Sequence, residues 1–497
     1  MNIKQILEKT AEEVPQKTAI VLGPERVSYQ ELDERSNRIA NALISLGMKK
    51  GDHVAILMPC TPEWVFAYFG IVKAGGKTVI LNSMLKAPEF DSLLRDSDSR
   101  ILITEKSFSQ MLSSILPDIP LLKHVIEVDS DSYTKMMADS SPASPVVDIK
   151  DDDESAIIYT SGVLGKQKGV VHTHTSLMAA ATIVAPGLEQ KRDDVCISMI
   201  PFFYALGLVA VVLPSFMKGS TVVILPRFTP ANALETITQE KATMLVGVPA
   251  MYNALAMLDG ETVKRYNLSS LRVALTAGAK ASAHLMETLE EKFGLTLCEI
   301  YGTTEALATT FGDIHNRKLG TAGKPVEEIK LIDTDGKEVP QGEIGELVCR
   351  SPQVMKKYYK EPELTARVLK DGWFHSGDLV RMDEDGYIDY IEKKSFIIVT
   401  SAGVKIPPTE VEDVLLKHPS VAEAAYVGVM DELKGQIPTL FVVPKEGQTI
   451  TKKGIREFCR QSLANYKLPH KIELVESIPK TGSGKIDRRR LKEGRTV

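Results

Sequence analysis

The chain has 497 residues, of which 43% are hydrophobic and 25% are charged, and its formal net charge is -5. This length exceeds what one hydrophobic core usually organises, so at least two domains are expected. The mildly acidic balance gives no reason to expect nucleic acid or an anionic membrane as a partner.

The N-terminal segment MNIKQILEKTAEEVPQK places Glu and Lys where a signal peptide would be apolar, which predicts an amphipathic helix instead. The longest apolar run, LGLVAVVL from Leu206, falls short of the roughly 20 residues that a membrane span requires. The five cysteines are scattered and form no CxxC pair. We therefore expect reduced, buried thiols in a cytoplasmic protein.

Apolar segments rich in β-branched residues recur through the first part of the chain and alternate with amphipathic segments such as AHLMETLEEKF. This alternation predicts an α/β fold with layers around parallel sheets. The predicted strands are HVAILM near 53, KTVILN near 77, RILIT near 100, TVVIL near 221, ATMLVGV near 242 and LRVALTAG near 271.

The pattern changes in the last third of the chain. Residues 330–390 contain short alternating segments separated by DG turns, which indicate β-hairpins in a β-rich part. After about residue 392, a helix opened by Pro408 and the strands AAYVGVM and TLFVVP predict a small α+β domain. We therefore predict an N-terminal domain over residues 1–392 and a C-terminal domain over residues 393–497.

The segment YTSGVLGKQKGV, residues 159–170, follows the apolar strand SAIIYT. Its backbone N–H groups and lysines have the composition of an anion-binding loop, although the spacing is not that of a Walker A loop. Val163 and Leu164 stand at its centre, where polar donors would be expected. A glycine-rich surface turn is the alternative interpretation.

The segment CEIYGTTEA, residues 298–306, ends a strand with an aromatic ring, two hydroxyls and a carboxylate. Ligands of α/β proteins usually lie at such strand ends, and Glu305 could hold Mg²⁺ through oxygen. The alternative is a helix start capped by Thr304 or Glu305.

Two further segments carry candidate residues. In HSGDL, Asp378 is predicted at a tight turn, where its carboxylate could accept hydrogen bonds from ribose; a plain Asx-turn is the alternative. In IPKTGSGK, Lys485 could deliver a charge to phosphate when a domain closes; a solvated basic tail is the alternative. For His172 and His174 we favour a structural or supporting role, since no spacing completes a metal site.

In this order the four segments resemble the adenylate-forming (AMP-binding) superfamily, specifically its acyl-CoA synthetase and aryl-CoA ligase branch. The resemblance runs from SYQELDERSNRIANAL near 28 to GSGKIDRRRLK near 482. It implies a large adenylate-forming domain, a small mobile C-terminal domain and a two-step reaction. A carboxylate would attack the ATP α-phosphate to give acyl-AMP and pyrophosphate, and the CoA thiol would then take the acyl group, with Mg²⁺ bound to the phosphates.

The resemblance also implies a set of site residues. It implies catalytic roles for Lys485 and Glu305, with Glu305 as the magnesium ligand. The implied nucleotide-binding residues are Thr160, Ser161, Gly162, Gly165, Lys168, Tyr301, Gly302, Thr303, Thr304, Asp378 and Lys393. The implied acyl-pocket residues are Phe203, Tyr204, Ala277 and Gly278.

Three departures from the family pattern modify these expectations. Val163 and Leu164 replace two threonines of the phosphate loop, which predicts weaker phosphate binding. Lys393 replaces the ribose-contacting arginine, and Tyr204 replaces a histidine common at the acyl pocket.

The segments that line the acyl pocket in members of the family are matched here by PFFYALGL, VGVPAMYNAL, TAGAK and YGTTEA, and none of these four pocket segments contains an arginine for a second carboxylate. The predicted substrate is therefore a fatty or aromatic monocarboxylic acid. An enzyme that loads a carrier protein is one alternative. A degenerate relative that binds nucleotide or acyl ligand without turnover is the other.

Overall fold

The structure is a computed structural model that describes residues 1–160, 167–399, 405–406, 408–431, 435–463, 465–481 and 485–493. The described residues form two compact units. Unit 1 consists of Met1–Thr160, Gln167–Glu328 and Cys349–Phe374. Unit 2 consists of the described parts of Ile329–Val348 and His375–Val497. The predicted boundary between residues 392 and 393 lies inside unit 2 and stays a prediction.

The helices begin with an amphipathic N-terminal helix, as predicted. They are α1 (Ile3–Glu13), α2 (Tyr29–Ser45), α3 (Pro62–Lys73), α4 (Ala87–Asp96), α5 (Lys106–Met111), α6 (Asp131–Asp139), α7 (His174–Gly187), α8 (Ala205–Gly207), α9 (Leu213–Lys218), α10 (Pro230–Glu240), α11 (Pro249–Ala256), α12 (Gly260–Val263), α13 (Ala283–Phe293), α14 (Pro362–Val368), α15 (Pro408–Leu415), α16 (Lys452–Ser462) and α17 (Arg488–Lys492).

The strands are most numerous in the first two thirds of the chain. They are β1 (Thr18–Leu22), β2 (Glu25–Ser28), β3 (His53–Leu57), β4 (Lys77–Ile80), β5 (Ile101–Thr104), β6 (His124–Glu127), β7 (Glu154–Thr160), β8 (Lys168–Thr173), β9 (Val195–Ser198), β10 (Thr221–Ile224), β11 (Met244–Gly247), β12 (Val273–Thr276), β13 (Thr296–Tyr301), β14 (Thr310–Phe311), β15 (Lys324–Pro325), β16 (Glu328–Ile332), β17 (Ile344–Arg350), β18 (Lys357–Tyr358), β19 (Leu369–Lys370), β20 (Trp373–Met382), β21 (Ile388–Lys393), β22 (Ile398–Val399), β23 (Lys405–Ile406), β24 (Val421–Asp431), β25 (Gly435–Pro444) and β26 (Lys471–Leu474).

Unit 1 contains two large sheets. The nine-stranded sheet has the order β15-β14-β13-β12-β11-β9-β10-β1-β2, and its strands from β13 to β1 are parallel. The seven-stranded sheet has the order β18-β8-β7-β4-β3-β5-β6, and it is parallel from β7 to β6. The central strands bury side chains on both faces, which is why they form continuous apolar runs in the sequence.

Helices cover both faces of the sheets of unit 1. One core contains residues of both sheets together with residues of α1, α2, α3 and α7. Alternate residues of the nine-stranded sheet pack against α10, α11 and α13, and alternate residues of the seven-stranded sheet pack against α4. The predicted α/β layers are therefore confirmed.

The second half of the chain is richer in antiparallel strands. A five-stranded sheet has the order β16-β17-β20-β19, with β21 paired to β20 in an antiparallel hairpin. The turn of this hairpin contains the predicted DG pair, Asp385 and Gly386. In unit 2, α15 and α16 contribute to a small core with β24, β25 and β26, and α15 begins at Pro408 as predicted.

Two further observations concern the cysteines and the helices. All five cysteines are free thiols, and four of them are buried. Among the described residues, no helix has both the length and the apolar character needed to cross a bilayer.

Candidate active site

The predicted phosphate loop connects two antiparallel strands of the seven-stranded sheet. Thr160 is the last residue of β7 and Lys168 the first residue of β8, and the two face each other across the hairpin. Ser161, Gly162 and Gly165, like Val163 and Leu164, lie outside the described residues. The structure therefore places the two ends of the loop. They lie at the carboxyl end of β7, and ligands of α/β proteins usually bind at the carboxyl ends of parallel strands.

The YGTTE segment forms a tight turn at the carboxyl end of β13. Thr303 stabilises the turn, since its Oγ1 accepts a hydrogen bond from the N–H of Ala306 at 3.2 Å and its carbonyl accepts one from Leu307 at 2.8 Å. A Cβ atom on Gly302 would lie 1.4 Å from the carbonyl oxygen of Leu307. The alternative of a helix start is excluded, because residues 302–305 are not helical.

A buried histidine supports this turn from the neighbouring sheet. His172, in β8, lies 2.7 Å through Nε2 from the carbonyl oxygen of Thr304, and its Nδ1 lies 2.9 Å from Oγ of Ser176. Burial lowers the pKa of His172 to about 4, so the ring is neutral at pH 7. Nε2–H therefore donates to the carbonyl and Nδ1 accepts from the serine hydroxyl. A supporting role of this kind is what the sequence suggested.

The carboxylate of Glu305 is held by a tyrosine that the sequence analysis did not identify. The hydroxyl of Tyr358 donates to Oε1 of Glu305 at 2.6 Å. The ammonium of Lys168 lies 5.3 Å from the centre of the same tyrosine ring, within the range of a cation–π interaction. The structure thus brings Lys168 and Glu305, two predicted site residues far apart in sequence, to one aromatic side chain.

Glu305 fits the predicted magnesium ligand in donor chemistry. Mg²⁺ prefers oxygen and is usually held by one or two carboxylates together with substrate phosphates. Among the described residues, no group of three or more His, Cys, Asp and Glu side chains is arranged to hold a metal ion. A magnesium ion at Glu305 would therefore take its other ligands from phosphate oxygens and water.

The predicted acyl-pocket residues also follow parallel strands of the nine-stranded sheet. Phe203 is buried, and its ring centre lies 4.6 Å from that of the partly exposed Tyr204. Burial raises the pKa of Tyr204, opposed by a hydrogen bond with Asn82. Ala277, directly after β12, is buried. Gly278 has a φ of +85°, and open space surrounds the position where a Cβ would stand.

In unit 2, the predicted ribose residue lies in a strand. The predicted tight turn at Asp378 is wrong, because Asp378 is in the middle of β20, directly after Gly377 with a φ of +68°. The pairing of β20 with β21 sets Asp378 opposite Lys393, whose Nζ lies 2.7 Å from Oδ1 of Asp378. The adjacent Lys394 bonds instead to Glu346 at 2.8 Å. The predicted pair Asp378 and Lys393 is thus brought together.

Lys485 also belongs to unit 2 and is exposed. Its backbone carbonyl accepts a hydrogen bond from Thr481 at 2.7 Å, and Lys480 pairs with Ile486 in an isolated antiparallel bridge. Residues 482–484 between these positions lie outside the described residues. The described contacts fix the backbone on either side of Lys485.

Comparison with known proteins identifies the family. Residues 7–359 match the family described as AMP-binding enzyme, and residues 410–485 match the AMP-binding enzyme C-terminal domain. The chain belongs to the AMP-binding enzyme family. The prediction of an adenylate-forming enzyme is thereby confirmed.

Similar proteins align with nearly the whole of this AMP-binding chain. A feruloyl-CoA synthase from Amycolatopsis sp is 36% identical over 477 residues, covering 95% of this chain and 94% of the relative. The anthranilate CoA ligase AuaEII in complex with anthranoyl-AMP has a TM-score of 0.91 and 29% identity, covering 99% of this chain and 97% of the other.

A structure solved with nucleotide and metal is also similar. O-succinylbenzoate coenzyme A synthetase from Bacillus subtilis, in complex with ATP and magnesium, has a TM-score of 0.86 and 30% identity, covering 98% of this chain and 99% of the other. The predicted α/β fold, the acid–thiol ligase class and the use of ATP, Mg²⁺ and CoA are confirmed. This chain is an ATP-dependent acyl-CoA ligase.

Proposed function

We propose that this ligase activates an aromatic monocarboxylic acid as its acyl-AMP and transfers the acyl group to CoA. The observation that carries the site assignment is the shared contact of Lys168 and Glu305 with Tyr358, because the predicted phosphate-binding cation and the predicted metal-binding carboxylate then lie together at strand ends. The preference for an aromatic acid is supported by the feruloyl-CoA synthase and anthranilate CoA ligase relatives.

The pocket residues are compatible with this substrate class. Phe203 and Tyr204 offer two tilted aromatic rings, and the absence of a side chain at Gly278 leaves space beside Ala277. No arginine occurs in the pocket segments to pair with a second carboxylate. An apolar pocket with few polar groups suits a planar acid that carries a single charge.

In the first step, a carboxylate oxygen of the acid forms a bond to the α-phosphorus of ATP, and the bond to pyrophosphate breaks. Lys168 and the backbone of the phosphate loop orient the phosphates, while Asp378 and Lys393 contact the ribose. Lys485 stabilises the negative charge that develops on the phosphate. Glu305 would hold Mg²⁺, and the charge of the ion would shield the phosphates from the approaching anionic acid.

In the second step, the sulfur of CoA attacks the acyl carbonyl carbon, the thiol proton passes to solvent, and the bond to AMP breaks to release AMP. Lys485 has no task in this step, and we propose that its domain moves away so that the thiol can enter. We also propose a cytoplasmic location, which the free thiols support because disulfides are rare in reducing compartments.

The test measures exchange of labelled pyrophosphate into ATP with a panel of aromatic acids and medium- and long-chain fatty acids. We expect exchange with aromatic acids, and acylation of CoA rather than of a carrier protein. Lys485→Ala should abolish exchange yet still convert supplied acyl-AMP and CoA to thioester. Lys480→Ala is the matched control, because Lys480 pairs with Glu423 at 2.8 Å.

Each part of the proposal has its own contradicting result. Exchange with fatty acids alone would overturn the substrate class. Acylation of a carrier protein but not of CoA would overturn the acceptor. Full exchange in Lys485→Ala would overturn the role of that lysine.

A further inference from the structure

We infer that Tyr358 is a positioning residue that holds Glu305 and Lys168 in the arrangement that binds magnesium and nucleotide phosphates together. This inference rests on the proposed function of these two residues. Tyr358 was not among the predicted site residues, and it binds neither substrate nor metal in the proposed mechanism. Its hydroxyl contacts Glu305, and its ring contacts Lys168.

The hydroxyl of Tyr358 orients the carboxylate of Glu305. It donates to Oε1 at 2.6 Å, and no other described residue donates a hydrogen bond to this carboxylate. A carboxylate fixed through one oxygen presents the other in a defined direction, which favours the octahedral geometry of Mg²⁺.

The ring of Tyr358 contacts the ammonium of Lys168. The ammonium lies 5.3 Å from the ring centre, and no ion pair joins the described side chains of Lys168 and Glu305. A direct ion pair would use the lysine charge on the carboxylate rather than on phosphate. The ring attracts the cation through its π electrons and leaves its N–H donors available for an anion.

The position of Tyr358 is fixed by the backbone on both sides. It pairs with Val170 of β8, and its N–H donates to Oγ1 of Thr365 at 3.0 Å. Nearby, the N–H of Met355 donates to the carbonyl of Glu305 at 2.7 Å. The side chain is 5% exposed. Its hydroxyl is therefore held in place by the fold before any ligand binds.

The adjacent residue provides a matched control. The hydroxyl of Tyr359 donates to Oδ2 of Asp98 at 2.7 Å, and the ammonium of Lys360 lies 5.2 Å from its ring centre. The same three residue types thus occur together twice in succession, with the difference that Lys360 also pairs directly with Asp98 at 2.7 Å. Neither Asp98 nor Lys360 is a predicted site residue. Tyr359→Phe therefore measures the effect of losing a tyrosine hydroxyl outside the predicted site.

The decisive variant is Tyr358→Phe, which keeps the ring over Lys168 and removes only the hydrogen bond to Glu305. We expect the Mg²⁺ concentration for half-maximal pyrophosphate exchange to rise about tenfold or more, since a hydrogen bond to a charged group is lost. The kcat at saturating Mg²⁺ and the Tm should match those of Tyr359→Phe. In a Glu305→Gln background, Tyr358→Phe should have no further effect on magnesium dependence.

Calorimetric titration of ATP at several Mg²⁺ concentrations gives a readout that does not need turnover. Tyr358→Phe should weaken ATP binding about tenfold at low Mg²⁺, and high Mg²⁺ should restore it. A magnesium dependence no different from that of Tyr359→Phe would overturn the inference. So would equal losses of kcat and Tm at every Mg²⁺ concentration, which indicate a merely structural role.

The outcomes also separate this inference from the proposed function. If the wild-type enzyme binds ATP with Mg²⁺ but shows no exchange with any acid, the proposed function fails while the calorimetric comparison still decides the role of Tyr358. If the wild-type protein shows no magnesium-dependent ATP binding, both fail together.

Discussion

Lys393 faces Asp378 across two antiparallel strands, and its ammonium lies 2.7 Å from the carboxylate. Asp378 is 2% exposed, so this cation compensates a carboxylate that has lost most of its contact with water. The replacement of the family's arginine by Lys393 therefore still provides a charge partner for the predicted ribose ligand. It does not provide the planar fork with which an arginine could contact the carboxylate and the ribose together.

This pair gives the first prediction. Lys393→Arg should lower the KM for ATP a few-fold, because the fork adds donors at the ribose. Lys393→Met should raise the KM about tenfold, because Asp378 loses the charge partner that orients it. Lys394→Met is the control, since Lys394 pairs with Glu346. A KM for ATP that is the same in all three variants would contradict a role for Lys393 at the nucleotide.

The second prediction compares two glycines of the candidate site. Close packing restricts Gly302, whereas only the positive φ of the backbone restricts Gly278. Gly302→Ala should cost about 3 kcal/mol or more of unfolding free energy, or displace the YGTTE turn, because its Cβ would meet a backbone carbonyl at 1.4 Å. ATP binding should be lost with it. Gly278→Ala meets no atom within 4 Å and should cost only about 1 kcal/mol, from its φ of +85°.

Chemical denaturation and calorimetric ATP titration of both variants check this contrast. The Gly278→Ala protein should still bind ATP, and any loss should appear in the KM for the acid. If Gly302→Ala keeps wild-type stability and ATP affinity, the turn is not as closely packed as the structure describes.

The sequence predicted the parallel strands well because each is a short apolar run buried on both faces. HVAILM and TVVIL, for example, correspond to β3 and β10. Local turn chemistry misled the interpretation of HSGDL: a Ser-Gly-Asp triplet usually indicates a turn, but Gly377 accommodates its positive φ inside β20. Pairing with β21 decided the conformation there, and such pairing is not encoded in neighbouring residues.

The supporting residues of the site could not be found from local pattern either. Tyr358 and Glu305 are separated by 53 positions, and His172 and Thr304 by 132. Each contact depends on how the two sheets of unit 1 meet. The segment MKKYYK contains two adjacent tyrosines, and nothing in the sequence indicates which of their hydroxyls reaches the site.

The third prediction is a pH dependence of stability that arises from His172. Its pKa is lowered to about 4 by burial, whereas an unfolded chain titrates near 6.5. The unfolded state therefore binds the proton first, and stability falls as the pH drops from 6.5 toward 4. At about pH 5 the loss from this residue should be about 2 kcal/mol.

Unfolding of wild type and His172→Gln at several pH values measures this effect. Gln cannot take up a proton but can donate an amide N–H to Thr304, so the difference between the two proteins should shrink as the pH falls. His174, also buried with its pKa lowered to about 4, titrates in both proteins and cancels. Parallel stability curves between pH 7 and 4.5 would contradict the assignment.

The fourth prediction concerns a buried ion cluster in unit 2. The guanidinium of Arg488 lies 2.5 and 2.8 Å from the two carboxylate oxygens of Glu412 and 3.3 Å from Glu392. All three side chains are buried. Glu392 lies at the end of β21, adjacent to the predicted boundary at residue 393, and Arg488 lies in α17. The cluster therefore joins these two elements within unit 2.

Arg488→Met should destabilise unit 2 by about 3 to 5 kcal/mol, because two buried carboxylates lose their cation. Burial raises the pKa of Glu392 to about 7, opposed by Arg488. In the variant Glu392 can take up a proton at low pH, so the destabilisation should be smaller at pH 5.5 than at pH 8. Arg490→Met, at an exposed position of the same helix, is the control and should change stability little. Denaturation that shows equal losses for both variants, or a loss independent of pH, would mean that the cluster does not stabilise this unit.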